Sequence, residues 1–162
     1  FLFVGTCFSE DYRNYKTART NEYAIEILKE YFPKKRIIDL DLKKNDKVPY
    51  QGVLHLDCTF NPIGKDKCII YKDGFVDESD YQLIIDIFGE ENCFHITPEE
   101  MFEMYPNIFS ISPEVVVSDE TFTRMNDFLR NEWGFTVEEI PYREISKMGG
   151  LLRCSTMPLV RE

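Results

Sequence analysis

His55 and Asp57 flank Leu56. In an extended strand, residues two apart share a face, so an imidazole and a carboxylate would stand side by side. Histidine titrates near neutrality and can move a proton, while a carboxylate beside it can hold a cation. The same spacing is met more often by a polar pair on the open face of a half-buried strand. Near the end of the sequence lies Gly149-Gly150-Leu151-Leu152-Arg153-Cys154-Ser155-Thr156-Met157-Pro158-Leu159. Glycines let backbone approach a ligand closely. Cys154 sits between an arginine and two hydroxyl residues, and a thiolate near positive charge or hydrogen-bond donors is a good nucleophile. A buried free cysteine beside a loop fits that segment equally well.

The surrounding elements alternate between strands and helices. Residues 1–5 read as a buried strand whose upstream partner lies outside this chain. A helix follows over 20–31, with Ala24, Ile27, Leu28 and Tyr31 at helical spacing, Thr20 or Asn21 as its cap and Pro33 as its stop. Strands are expected at 36–42, 53–60 and 67–71, the last two joined by the turn-rich Asn61-Pro62-Ile63-Gly64-Lys65-Asp66. Ser79 caps a helix that Gly89 stops. After a strand at 92–96, Thr97-Pro98-Glu99-Glu100 has the form of a capping box with proline at the first helical position. Strands at 107–110 and 115–118, a helix over 120–133 and a strand at 135–140 repeat the grammar of strand, strand, helix, strand. Such repetition suggests a propeller-like or otherwise pseudo-symmetric α/β fold.

Composition narrows the class. The 162 residues are 43% hydrophobic and 14% aromatic, enough for a core in one domain or a large piece of one. The net charge of −10 argues against nucleic acid and anionic membranes and would draw in a cationic small molecule, although ordinary solubility explains it more simply. The apolar start lacks the basic flank and length of a signal peptide, and no apolar run is long enough to span a bilayer. The five cysteines (Cys7, Cys58, Cys68, Cys93, Cys154) include no CxxC pair, so neither structural zinc nor thioredoxin-like chemistry is expected. Reduced thiols in a cytoplasmic protein are the simplest account, with Cys68 and Cys93 as small core hydrophobes. Other charged or aromatic features read as structural. Glu99, Glu100 and Glu103 form a solvated helix face, Cys93 and His95 a strand pair, Trp133 a core residue, and Arg153 a loop salt bridge.

Together, Leu54-His55-Leu56-Asp57-Cys58-Thr59-Phe60-Asn61-Pro62-Ile63-Gly64 and the late Gly-Gly…Cys…Thr…Pro-Leu segment resemble the guanidine-modifying superfamily. That group includes arginine deiminases, dimethylarginine dimethylaminohydrolases and amidinotransferases, and the sequence is most similar to its arginine-deiminase-related bacterial members. Phe3-Val4-Gly5 followed by Arg19-Thr20-Asn21 looks like a third signature. The resemblance implies a pentein, a five-bladed α/β propeller of ββαβ units. It implies Cys154 as nucleophile, His55 as general acid/base, Asp57 as the carboxylate that holds the guanidinium, and Arg19 as the partner of a substrate carboxylate. It implies no metal and no cofactor.

The implied chemistry is hydrolysis through a covalent thiouronium on Cys154. The alternatives are amidino transfer to an amine and a non-catalytic binding module. The superfamily's Glu-Gly-Gly-Asp-type segment has no counterpart here. Residues 1–162 are therefore expected to be the C-terminal portion of a single catalytic domain, with the remainder of that domain as a partner. A homodimer is compatible with the sequence. Lys147-Met148 stands where deiminases usually carry an arginine before the late glycines.

Overall fold

A computed structural model describes residues 1–8, 12–157 and 159. Pro158 of the late motif lies outside these described residues. The chain forms two compact units, one of residues 1–56 and 72–87, the other of residues 57–71 and 88–162.

The first unit is built on two parallel strands, β1 (Leu2–Thr6) and β2 (Ile37–Asp41), in register from Leu2 opposite Ile37 to Thr6 opposite Asp41. β1 is half-buried along most of its length rather than buried as expected. Between the strands runs α1 (Glu22–Tyr31), whose cap is Asn21: its side-chain oxygen accepts from the Ala24 N–H at 3.1 Å. The buried side of α1 centres on Ile25, and the predicted apolar position Tyr31 is 76% exposed. Ile38, Leu40 and Leu42 are buried, and Leu42 bridges Phe75 beyond the end of β2. α2 (Glu78–Phe88) buries Ile84 and Ile85, and all but its last residue belongs to this unit. Among the described residues no helix is long and apolar enough to cross a membrane.

The expected strand at 53–60 is not formed. The Val53 N–H donates to the Lys43 carbonyl at 2.9 Å, and Lys44 Nζ donates to the carbonyls of Val53 (3.1 Å) and Leu54 (2.7 Å). These backbone groups are therefore taken by a loop instead of a strand partner. His55 lies in a bend, and Leu56–Cys58 is a 3₁₀ turn. The alternation of faces predicted for His55 and Asp57 therefore does not apply.

The second unit holds two three-stranded sheets of the same design. In the first, β3 (Phe60–Ile63) pairs antiparallel with β4 (Lys67–Ile70), and β4 pairs parallel with β5 (Cys93–His95). After α3 (Pro98–Phe102), the second sheet repeats this: β6 (Phe109–Ser110) is antiparallel to β7 (Val115–Asp119), which is parallel to β8 (Thr136–Ile140) across α4 (Thr123–Asn131). α5 (Arg143–Ser146) follows. In chain order each sheet is a ββαβ unit, as the repeat grammar suggested. Asn61 and Pro62 belong to β3 rather than to the turn. Pro62 is tolerated because β3 is an edge strand.

The core of this unit contains Phe60, Ile69, Ile108, Phe122, Met125, Leu129 and Leu151, all essentially inaccessible; each such side chain contributes roughly 1.5–3 kcal/mol of burial. Cys68 and Cys93 face each other in the β4–β5 register with sulfurs 3.4 Å apart, buried as expected. The Thr97–Glu100 capping box is complete. Glu100, expected on a solvated face, is instead buried, and its two oxygens take Arg124 Nε at 2.6 Å and Nη2 at 2.5 Å. Glu103 pairs with Arg143. Trp133 is half-buried and edge-on to Phe94, Phe128 and Phe135.

Candidate active site

In the second unit three chain segments meet around Cys154. The first is the 3₁₀ turn that carries Asp57 into β3. The second is Asn107, between α3 and β6. The third is the stretch from Gly149 to Thr156, with a 3₁₀ turn at Arg153–Ser155. Sharp backbone shapes both later segments. Met104 has φ 68°, unusual for a side chain with a Cβ, and it turns the chain out of α3 so that the Asn107 N–H reaches the Met104 carbonyl at 2.9 Å. Gly149 and Gly150 have φ 81° and 114°. At Gly150 a β-carbon would lie 2.9 Å from Cys154 Cβ and 3.2 Å from its sulfur. Glycine is thus required there twice over, for its backbone angle and for the approach of the thiol.

Cys154 is the one exposed free cysteine among those described; the other four are buried. Its sulfur stands 3.7 Å from Asp57 Oδ2 and 3.3 Å from Asn107 Nδ2. On the other side of the same carboxylate, the Cys58 sulfur lies 3.8 Å from Asp57 Oδ1. Two of the predicted site residues, Cys154 and Asp57, are therefore brought together although far apart in sequence.

The thiol's surroundings differ from the sequence expectation. Ser155 Oγ donates to the Leu151 carbonyl at 2.7 Å and Thr156 Oγ1 to the Leu152 carbonyl at 2.9 Å, so both hydroxyls brace the turn. The salt bridge expected for Arg153 is not found among the described residues. The Cys154 thiol is pushed above a cysteine's ordinary pKa, first by burial of its inner side and then by the Asp57 carboxylate. The Asn107 amide and the Leu151 N–H pull the other way. The resting sulfur is thus held as a thiol with a negative group beside it.

His55 and Arg19 belong to the first unit. His55 is half-buried. Arg19 is exposed, and its Nη1 donates to the Lys16 carbonyl at 3.1 Å. A separate cleft of about 580 Å³ in the first unit is lined by Cys7, Glu22, Glu26, Lys29 and Asp39, none of them a predicted site residue. Cys93 and His95 lie in β5, and His95 Nε2 stands 3.0 Å from Glu90. No group of three metal-ligating side chains occurs among the described residues.

Sequence reasoning missed Asn107, which it placed at the start of a strand. The structure starts β6 two residues later and buries the Asn107 side chain completely. The available signal was an amide between Pro106 and the apolar pair Ile108-Phe109. A polar group in such a run needs partners, and none is readable locally.

Comparison with known proteins places the chain in a family. The model of the eukaryotic N,N dimethylarginine dimethylhydrolase family matches residues 15–161. An uncharacterized protein, YkgA of Bacillus subtilis (strain 168), is 30% identical over 144 residues, covering 88% of this chain and 46% of YkgA. An arginine deiminase of Latilactobacillus sakei subsp. sakei (strain 23K) is 39% identical over 67 residues, covering 41% of this chain and 16% of the deiminase. Among solved structures, the product-bound N-terminal domain of ArgZ, an arginine dihydrolase from the ornithine–ammonia cycle in cyanobacteria, superimposes with a TM-score of 0.77 at 18% identity. That match covers 98% of this chain and 51% of the ArgZ chain. The chain thus spans about half the length of YkgA and of the ArgZ domain. With its ββαβ units and the paired Asp57 and Cys154, the chain belongs to the N,N dimethylarginine dimethylhydrolase family, within the pentein superfamily of guanidine-modifying enzymes.

Proposed function

We propose that this chain is the nucleophile-bearing, C-terminal portion of a pentein domain that hydrolyses arginine or a related guanidine through a covalent intermediate on Cys154. The contact between the Cys154 sulfur and the Asp57 carboxylate, 3.7 Å apart, carries the reading. A flat cation against Asp57 would have its electron-poor carbon within reach of the sulfur. It would also cancel the negative charge that holds the thiol pKa up, so the cationic substrate would favour ionisation of its own attacker. The −10 net charge favours the approach of such a cation.

The reaction divides into two steps. With the cation bound, the Cys154 thiol passes its proton to His55. The thiolate attacks the guanidinium carbon, and a C–N bond breaks as His55 hands that proton to the departing amine, leaving a thiouronium on Cys154. Water deprotonated by His55 then attacks that carbon, the C–S bond breaks, and a ureido product leaves with the thiolate restored. Asp57 steadies the cation throughout. Arg19 is assigned to a substrate carboxylate, for which its planar fork is suited. The roles of His55 and Arg19 rest on their places in the sequence motifs. Coverage of about half of YkgA and of the ArgZ domain supports a working site that includes the rest of the domain.

The test is to incubate the whole protein with arginine, agmatine and methylated arginines and to follow amine release and ureido product. Equal amounts of ammonia (or methylamine) and ureido product are expected from the preferred guanidine. An amidino group recovered on an added amine, with no ureido product, would replace hydrolysis by transfer. Turnover of none of these guanidines would favour the binding-module alternative.

A further inference from the structure

The least expected feature of the second unit is the number of bonds made by the buried Asn107. Its side-chain oxygen accepts from the Leu151 N–H at 2.9 Å and the Cys154 N–H at 3.2 Å. Its side-chain nitrogen donates to the Asp57 carbonyl at 3.4 Å and the Cys154 sulfur at 3.3 Å. Its own carbonyl accepts from the Arg153 N–H at 3.1 Å. An amide offers two acceptor and two donor positions, and all four are used. The reversed orientation would set the amide nitrogen against two backbone N–H groups, so only one orientation satisfies the site. Asn61, itself buried, clamps both flanks by donating to the carbonyls of Pro106 at 2.6 Å and Ile108 at 3.1 Å.

We propose that Asn107 is a positioning residue for the nucleophile: its acceptor side shapes the Cys154 loop, its donor side presents one N–H to the sulfur, and Asn61 holds it in place. This role rests on the reading that Cys154 is the attacking group. A hydrogen bond to the charged form of an acid is stronger than to its neutral form, so the amide favours the thiolate. Asp57 is the charged group that opposes it at the sulfur. The amide therefore partly offsets Asp57 until a cation arrives, while fixing the direction from which the sulfur attacks.

The experiment has two readouts, neither of which needs substrate. The first is the pH profile of Cys154 alkylation by iodoacetamide, followed by peptide mass spectrometry in the whole protein. Asn107→Asp keeps oxygen acceptors for the loop but replaces the donor with a second anion. Its midpoint is expected to rise by about one to two pH units, the equivalent of losing a hydrogen bond to a charged group. A profile that superimposes on wild type would overturn the proposal, as would slower alkylation with an unmoved midpoint, which is what loop support alone would give. The second readout covers a variant that fails to fold. In wild-type protein the Asn107 side-chain amide resonances should titrate with the Cys154 midpoint and lose that titration in Cys154→Ser. Resonances that stay flat while Cys154 ionises would overturn it. Failure of guanidine turnover with these titrations intact would count against the enzymatic reading alone.

Discussion

Cys154→Ser is expected to lower guanidine turnover by the whole protein on the order of 10⁴-fold or more, the scale seen when a nucleophile that works as part of a unit is removed. The hydroxyl is nearly isosteric with the thiol, so the turn and its bonds to Asn107 should survive and thermal stability should stay near wild type. What is lost is ionisation. A serine hydroxyl beside the Asp57 carboxylate has no means of becoming an alkoxide at neutral pH, whereas the thiol needs only the modest help of a bound cation. Steady-state ammonia release reads the loss, and a melting curve confirms that the variant is folded. Turnover within a few fold of wild type would remove Cys154 from the chemistry.

His55→Ala is expected to cost roughly 10²–10⁴-fold in turnover, the range of a positioned general acid–base catalyst. The defect should fall on proton transfer rather than on recognition: kcat drops while the KM for the cationic substrate changes little, because Asp57 remains. If release of the amine is the more impaired step, no adduct forms. If water activation is the more impaired step, a thiouronium accumulates on Cys154 and is visible in the intact mass. Either result supports the role, and normal kcat with a raised KM would make His55 a binding residue instead.

The elements most readily read from the sequence were those specified by neighbouring residues. Asn21 and the Thr97–Glu100 capping box act across three residues, and both caps form as read. Cys68 and Cys93 lie in short apolar runs that form strands and bury both thiols, as read. The departures are long-range. His-Leu-Asp-Cys alternates like a strand, yet a strand needs a ladder partner, and pairing with β4 begins only at Phe60. Upstream, the loop at Lys43 and Lys44 takes the carbonyls and N–H of 53–54. Glu100 was read correctly as a cap residue and wrongly as solvated, because Arg124 arrives 24 residues later.

Within the candidate site, Cys154 and Asp57 stand out through the resemblance of their two segments to guanidine-modifying enzymes, and the fold brings these two side chains together. Asn107 was not legible, since an amide carries no chemical signature and its partners lie 44 to 50 residues away. The polarity around Cys154 was also misjudged: Ser155 and Thr156 spend their hydroxyls on the turn, and a carboxylate rather than a guanidinium sets the thiol's electrostatics.

Reaction of Cys154 with a cation that Asp57 presents is the central claim, and labelling with 2-chloroacetamidine, in which the sulfur displaces chloride from the carbon beside the amidinium, measures this most directly. In the folded whole protein a single adduct is expected, mapped to Cys154 and slowed by arginine. Because burial and Asp57 raise the resting thiol's pKa, the rate with neutral iodoacetamide should climb steeply as pH rises towards that value. The cationic amidine, which neutralises Asp57 as it binds, should react at lower pH. A label on Cys7, Cys58, Cys68 or Cys93 instead, or none on the folded protein, would contradict the account.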